Sequence, residues 1–259
     1  MTLPYGLAAG FYTLWISFAL TRAGFPVALT ASIVAVGIAA SSFSFLYAPV
    51  IDATLTLRRW YLIGLASSVM IIVLGLMPLV RERATAVMVM VFLCGLSSTF
   101  VMNPSGALMA TTVEESMKGR AAGWAQAGNV GGTGLGGFAI WVSTHFSNGL
   151  AGISLGVIMG TCALGLILVG APSLRIDHAW GARLFALGQG VLAMARNPTS
   201  LLIIALCASP IGAGGASFLW PAVAGEWAAS ADRVALGTGI LSAIAATGGA
   251  VIGAKWPTG

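Results

Sequence analysis

The sequence has very little charge. Asp, Glu, Lys and Arg make up 7% of its 259 residues, and hydrophobic residues make up 58%, whereas a soluble globular domain carries about 25% charged residues. A soluble chain with so few charges would expose apolar surface that it could not hide from water. The composition therefore excludes an ordinary soluble domain and favours a chain embedded in lipid, so that membrane lipid is its first expected partner.

Cysteine and histidine are also scarce, at three and two residues. Cys94, Cys162 and Cys207 all fall within apolar runs, where a free cysteine behaves as a small hydrophobic residue. No Cys-x-x-Cys pair and no other metal-ligand spacing occurs. The sequence therefore predicts neither a metal site nor a cofactor.

Eight apolar runs are long enough to cross a bilayer, which takes about 20 mainly apolar residues. Apolar and polar residues do not alternate along these runs, so we predict helices, whose backbone groups bond within the segment. The expected fold is an all-α, polytopic membrane helical bundle of about eight transmembrane helices. The runs are 4–21, 27–49, 60–80, 84–110, 121–144, 149–171, 200–223 and 234–254.

The net charge of +5 lies in the connections between the runs, which indicates topology rather than nucleic-acid binding. Eight of the basic residues fall in even-numbered connections and at the C-terminal end, and four fall in odd-numbered ones. The positive-inside rule then predicts a multi-pass protein of the cell membrane with both ends of this chain cytoplasmic. The eight are Arg58, Arg59, Lys118, Arg120, Arg175, Arg183, Arg196 and Lys255, and the four are Arg22, Arg81, Arg83 and Arg233.

Catalytic patterns are absent from the sequence. His145 and His178 lie on opposite sides in the predicted topology, and no Gly-x-Ser-x-Gly nucleophile motif occurs. Glu114 and Glu115 fit the start of a helix better than a catalytic pair. We therefore expect no catalytic residues and no enzyme activity.

Three regions follow from the spacing of the runs. Residues 1–171 are predicted to form a six-helix transmembrane bundle. Residues 172–199 form a cytoplasmic linker, whose apolar residues recur at helical spacing and predict an amphipathic surface helix. Residues 200–259 begin a second bundle with two helices. The apolar residues of the linker helix are Trp180, Leu184, Leu187, Val191 and Met194.

Two segments carry the strongest motifs. The first runs from Leu46-Tyr47-Ala48-Pro49 through Asp52 to Arg58-Arg59. These charges could form a latch at the cytoplasmic mouth that holds one conformation and releases in another. The alternative is a helix-capping aspartate followed by arginines that only set the topology.

The second segment opens the fifth run, where Glu115, Gly119, Arg120 and Gln126 precede a glycine-rich stretch. Gly128, Gly132 and Gly136 are four residues apart and share one helix face, which lets another helix approach closely. This seam could permit sliding or could be static packing. A Gly-x-Gly-x-x-Gly match in this run follows no strand, so we exclude a dinucleotide site.

Together the two segments resemble the major facilitator superfamily, in its branch of muropeptide permeases and acetyl-coenzyme A transporters. The resemblance covers roughly residues 4–145. It implies a secondary active transporter that moves a small-molecule substrate across the membrane by alternating access, with Asp52, Arg58, Arg59, Glu115 and Arg120 as the cytoplasmic latch. Since that superfamily has two six-helix halves, four further helices are expected beyond Gly259; a natural eight-span protein is the alternative.

Polar and aromatic residues within the runs are the expected substrate pathway, because such groups are costly in lipid and usually face a cavity. Interhelical hydrogen bonding and interfacial anchoring are the alternative roles. A transporter should have a water-filled cavity lined by Tyr12, Asn103 and Gln126, whereas a non-transporting subunit or a lipid-handling bundle should pack these residues together. The set is Tyr12, Trp15, Asn103, Gln126, Asn129 and Trp220.

No ionisable acidic or basic residue lies in the middle of a run, where proton-coupled carriers usually place one. A proton is one candidate for the coupling ion, and three explanations of this absence remain. The coupling group could lie in further helices, Glu226 or Asp52 could serve from the end of a run, or transport could be independent of protons.

Overall fold

The structure is a computed structural model that describes residues 1–44, 51, 54–76, 83–168, 180–208 and 218–254. Within these ranges every regular element is a helix, which confirms the all-α prediction for this part of the chain. Pro49, Asp52, His178 and Lys255, about which the sequence makes predictions, lie outside the described residues.

Six long described helices follow one another along the first 168 residues. They are α1 (Leu3–Arg22), α2 (Val27–Ser42), α3 (Leu57–Gly75), α4 (Ala84–Thr112), α5 (Lys118–His145) and α6 (Asn148–Leu168). Local chemistry explains two of the starts, because the hydroxyl of Thr56 accepts from the backbone N–H of Arg59 and that of Ser147 accepts from Leu150.

The remaining helices are α7 (Trp180–Arg196), α8 (Pro198–Ala208), α9 (Trp220–Val223) and α10 (Ala231–Gly253). Ser230 caps the start of α10 by accepting from the N–H of Arg233. Helix α7 coincides with the predicted linker helix and contacts α8. Its Phe185, Leu192 and Met194 side chains are exposed.

Five helices in the described ranges are long and apolar enough to cross a membrane: α1, α3, α4, α6 and α10. Helix α2 has only 16 residues. Helix α5 has 28 residues, but its many glycines together with Gln126 and Asn129 lower its mean hydropathy. The run 200–223 includes most of the 11-residue α8 and all of the four-residue α9. Residues 209–217, between these two helices, lie outside the described ranges.

The six helices alternate in direction. The Tyr61 hydroxyl at the start of α3 donates to the Met1 carbonyl oxygen at 3.1 Å, and the Thr2 hydroxyl donates to the Ala125 carbonyl oxygen, near the start of α5, at 2.5 Å. The starts of α1, α3 and α5 therefore share one end of the bundle, which we call the N-terminal face. The other end, where His145 meets Asp232 of α10, is the opposite face.

Helix α1 is the centre of the bundle, with 72% of its apolar window buried. It packs against α4, α5 and α6, while α4 also packs against α2 and α3. Phe11 and Trp15 of α1 stack at 5.1 Å between ring centroids, and the Trp15 indole N–H donates to the Ser143 hydroxyl of α5 at 3.0 Å.

The outer surface is apolar. Large aliphatic side chains of α6 and α10 face outward, among them Leu168, which is 88% exposed, and Ile244, which is 64% exposed. Contiguous apolar surface of this extent is unfavourable in water and marks a surface that contacts protein or lipid. The arrangement is compatible with a membrane-embedded protein.

Candidate functional site

The glycine stripe of α5 packs against α1. A Cβ atom at Gly132 would overlap the carbonyl oxygen of Leu3, and one at Gly136 would overlap that of Leu7. Gly128 faces the Thr2 hydroxyl, which would lie 2.7 Å from its Cβ. Two glycines of α1 complete the contact from the other side, since Gly6 and Gly10 meet the carbonyl oxygens of Asn129 and Thr133. Small residues on both helices therefore bring the two backbones into direct contact.

A second face of α5, made of other small residues, packs against α10. A Cβ at Gly134 would overlap Ala243, and one at Gly131 would lie 2.9 Å from the Thr247 hydroxyl oxygen. The same hydroxyl donates to the Ala127 carbonyl oxygen at 3.4 Å. Helix α5 therefore joins the six-helix region to the first described long helix that follows the linker.

A cavity of about 440 Å³ lies between α1, α2, α5 and α10, near the middle of α1, α5 and α10. Residues before and after the linker line it together. Its lining consists of Tyr5, Ala9, Tyr12, Thr13, Leu14, Ile38, Ser41, Asn129, Val130, Thr133, Gly134, Phe218, Trp220, Thr238, Ser242, Ala243 and Ala246.

Two π-helical segments flank this central cavity, Phe11–Trp15 in α1 and Ala235–Leu241 in α10. In the first, the backbone N–H of Ile16 donates to the carbonyl oxygen of Phe11, five residues earlier. In the second, the Ser242 hydroxyl donates to the Gly237 carbonyl oxygen, also five residues earlier, at 2.7 Å. Such segments are rare and are frequent at functional sites.

The cavity wall is largely apolar, with several uncharged polar groups set into it. The hydroxyls of Thr133, Thr238 and Ser242 each donate to a carbonyl oxygen of their own helix. Asn129 is half-buried, and the structure records no side-chain hydrogen bond for it among the described residues. No described lining residue is Asp, Glu, Lys, Arg or His. The arrangement can therefore exchange neutral hydrogen bonds with a guest molecule.

Three of the six predicted pathway residues line the cavity: Tyr12, Asn129 and Trp220. Trp15 does not, although a regular α-helix would place it near Tyr12. The intervening π-helical turn holds more residues and rotates Trp15 away from Tyr12, toward Ser143.

The other two predicted pathway residues, Asn103 and Gln126, are also absent from this lining, so the expected cavity of Tyr12, Asn103 and Gln126 does not form in the described part of the chain. Gln126 is exposed, because the faces of α5 that pack are those of its small residues. Asn103 lies on α4, and its buried amide nitrogen has no hydrogen-bond partner among the described residues.

The polarity of the lining comes mostly from residues that the sequence did not single out: Tyr5, Thr13, Ser41, Thr133, Thr238 and Ser242. Their one signal in the sequence is four-residue spacing within apolar runs, as in Thr238 and Ser242 or Asn129 and Thr133. This spacing places two polar groups on one helix face. Hydroxyl groups in transmembrane helices often bond to their own backbone, which is why the signal is weak.

The predicted latch residues are not gathered into one described contact. Glu115 pairs with Lys118, three residues along the same segment, at 2.6 Å with both side chains exposed. Arg120 approaches the Met117 sulfur at 3.8 Å, and Arg59 is exposed at the start of α3. The latch residues that the structure describes, Arg58, Arg59, Glu115 and Arg120, lie at the N-terminal face, since α3 and α5 both begin there.

A second cavity of about 740 Å³ opens at the opposite face and collects the charges missing from the central one. Arg22, His145, Glu226 and Asp232 line it. His145 and Asp232 form a pair at 3.3 Å between α5 and α10, with both side chains well exposed. Of the two helix-end carboxylates considered for proton coupling, Glu226 is at this mouth and Asp52 lies outside the described residues.

No group of three or more His, Cys, Asp or Glu side chains in the described ranges is arranged to hold a metal ion. The resemblance to the major facilitator superfamily stays a prediction that depends on the two sequence motifs. Comparison with protein-family models, with curated proteins and with solved structures returned no match.

Proposed function

We propose that this chain is a membrane-embedded secondary transporter of the major facilitator type, which moves a small solute by alternating access. The observation that supports the proposal is the polar central cavity, because helices from before and after the linker build it jointly. Transporters place the substrate site at such a boundary, near the bilayer midplane and beside helices with interrupted geometry. The two π-helical segments are interruptions of this kind.

The moving parts in this mechanism are the six-helix region and the part that includes α10. The contact of α5 with α1 buries backbone against backbone and keeps the first region rigid. The contact of α5 with α10 also uses small residues, which lets one helix shift along the other without side chains blocking the motion. Rocking along this second contact would open the cavity to one face and then to the other.

Eight transmembrane helices and a cytoplasmic N-terminal face are part of the same proposal. Arg58, Arg59, Lys118 and Arg120 lie at the N-terminal face, and basic residues are retained on the cytoplasmic side. The latch residues would act at this face. The opposite face would carry the entrance at which Glu226 could bind a coupling ion such as a proton.

Two-sided accessibility of the cavity tests the proposal without a known substrate. The full chain, with its natural cysteines replaced by alanine, would carry Thr238→Cys in the cavity wall. A charged, membrane-impermeant thiol reagent is then added to right-side-out and to inverted vesicles. Alternating access predicts labelling in both preparations, because each conformation exposes the cavity to one side.

Thr161→Cys is the matched control, since Thr161 is exposed on the outer surface of α6 and should face lipid, out of reach of the reagent. Labelling of Thr238→Cys from one side only would refute alternating access. Absence of labelling from both sides would favour a non-transporting subunit or a lipid-handling bundle instead.

A further inference from the structure

We infer that the central cavity binds an uncharged, hydroxyl-rich solute of about monosaccharide size. The inference rests on the proposed function and names the substrate class for the same cavity. It depends on three features of the lining: the absence of charge, the arrangement of hydrogen-bonding atoms, and an aromatic side chain at the rim.

Charge complementarity argues against an ionic solute. An anion at this depth would need a basic partner and a cation an acidic one, because an unpaired charge in a low-dielectric site is strongly disfavoured. The described lining offers neither. The charged side chains of the opposite face, such as Arg22 and Glu226, line a separate cavity.

The hydroxyl groups in the wall favour a solute that donates hydrogen bonds. Thr133 donates to the Asn129 carbonyl oxygen at 3.0 Å, Thr238 to that of Val234 at 2.7 Å, and Ser242 to that of Gly237 at 2.7 Å. Each hydrogen is therefore already used within the helix, and the oxygen lone pairs stay available as acceptors.

The Asn129 side chain supplies the complementary groups, since its amide has two N–H donors and one carbonyl acceptor. A solute hydroxyl both donates and accepts, so several hydroxyls on one small ring can satisfy Asn129 and the wall together. A solute with a single hydroxyl would leave most of these groups unmatched, which costs binding free energy.

Trp220 completes the site. Its side chain is 54% exposed and lies on the cavity lining near α1 and α2. An indole ring presents a flat apolar face together with a polar N–H, which matches a ring whose C–H groups are on one face and whose hydroxyls are on its edge. The volume of about 440 Å³ falls within the range of small-molecule sites.

The test compares four six-carbon probes on the purified full chain in lipid nanodiscs: D-glucose, gluconate, glucosamine and cyclohexanol. Binding is followed by isothermal titration calorimetry. We expect glucose to bind about tenfold or more tightly than each of the other three. Gluconate and glucosamine bring a charge that the lining does not match, and cyclohexanol has only one hydroxyl group. Equal or tighter binding of any of the three, or no binding of glucose, would overturn the inference.

Two variants test whether glucose binds in this cavity. Asn129→Asp keeps the shape of the side chain and adds a negative charge, so it should weaken glucose binding and strengthen glucosamine binding. Thr133→Val removes one acceptor and should weaken glucose binding several-fold, whereas Thr161→Val on the outer surface should not. Glucose affinity that is unchanged in both cavity variants would contradict this site.

These results separate the substrate class from transport itself. If gluconate binds best while Thr238→Cys is still labelled from both sides, the class is wrong and the transport proposal stands. If glucose binds as expected but labelling occurs from one side only, the site is a binding site in a protein that does not alternate.

Discussion

Asn103 and Asn129 are the two asparagines within long helices whose surroundings differ most. The amide nitrogen of Asn103 is buried and has no hydrogen-bond partner in the described part of the chain, whereas Asn129 faces a cavity. A buried donor without a partner costs about 1–3 kcal/mol of stability, while a polar group on a wet cavity costs little. An asparagine is therefore expected to lower the stability of the protein at position 103 and to have little effect on it at position 129.

Replacing Asn103 with leucine tests this difference. Leucine is similar in volume and removes the unpaired donor, so Asn103→Leu should stabilise the protein by about 1 kcal/mol. Asn129→Leu is the matched control and should change the free energy of unfolding by less than about 0.5 kcal/mol. Both values come from equilibrium unfolding in mixed detergent micelles. Destabilisation by Asn103→Leu would show that this amide makes a contact that the described residues do not contain.

At the residue level, the sequence located polar groups within apolar runs but not the surface that each group faces. Polarity within an apolar run identified Tyr12, Asn129 and Trp220, because polar groups avoid lipid wherever they lie. It could not say which cavity a group faces, since helix rotation is set by packing. Trp15 and Gln126 share the polar signal of Tyr12 and Asn129 but lie elsewhere.

At the scale of the helix, a glycine of α5 and a glycine of α4 differ in what surrounds them. Gly132 is in contact with the backbone of α1, whereas no described residue comes within 4 Å of the Cβ position of Gly106 in α4. Glycine in a helix is otherwise unfavourable relative to alanine by about 0.5–1 kcal/mol. A substitution at Gly132 therefore tests close helix packing, whereas a substitution at Gly106 tests intrinsic helix propensity.

The expected effects of alanine at these two positions are opposite in sign. Gly132→Ala should destabilise the protein by about 1–3 kcal/mol, because α1 and α5 must move apart to make room. Gly106→Ala should stabilise it by up to about 1 kcal/mol. Unfolding in mixed micelles measures both changes. A Gly132→Ala protein as stable as Gly106→Ala would mean that α1 and α5 are not in backbone contact.

The sequence predicted that α5 has a small-residue face, and it could not identify the partner helices. Four-residue spacing of glycines is visible in one chain, but the choice of neighbour depends on the whole bundle. Gly6 and Gly10 of α1 have the same spacing and supply the other half of one contact. The contact with α10 also uses small residues at four-residue spacing, Gly123, Ala127 and Gly131 on α5 and Gly239, Ala243 and Thr247 on α10, but this spacing does not say which helix will pack there.

At the scale of the whole molecule, the contact between α5 and α10 is where motion is proposed. A Cβ atom at Gly131 would lie 2.9 Å from the Thr247 hydroxyl oxygen across it, and a Cβ atom at Gly128 would lie 2.7 Å from the Thr2 hydroxyl oxygen across the contact of α1 with α5. A cysteine pair at either position could therefore form a disulfide. One pair would join the two proposed moving parts, and the other would lie within a single rigid part.

Oxidation of Gly131→Cys with Thr247→Cys should stop alternation, so that Thr238→Cys is labelled from one vesicle orientation only. Reduction should restore labelling from both. Oxidation of Thr2→Cys with Gly128→Cys, in the same background, should leave two-sided labelling unchanged. If the two disulfides have the same effect, the moving boundary does not follow α5 and α10.

Sequence patterns were most informative about the environment of the chain and least informative about its assembly. Hydrophobicity and scarce charge predicted helices long enough for a membrane, since both signals are local. Within the described residues, five helices are long and apolar enough to cross a membrane. Of the other three predicted runs, α2 is short, α5 is rich in glycine, and the run 200–223 is described only in part. The cavity is formed by helices that are far apart in the sequence, so no local sequence pattern predicted it.

The two π-helical segments also alter what a change in chain length would do. Each holds a residue beyond what a regular helix would need, and every residue after it is turned by about 100° relative to an unbroken helix. Deleting one residue from 235–241 would restore regular winding and leave the rest of α10 on the faces that now meet α5, whereas regular winding of the undeleted chain would turn those residues away. In this protein the irregular turn is what keeps the register, and a regular helix with the same number of residues would be the misaligned form.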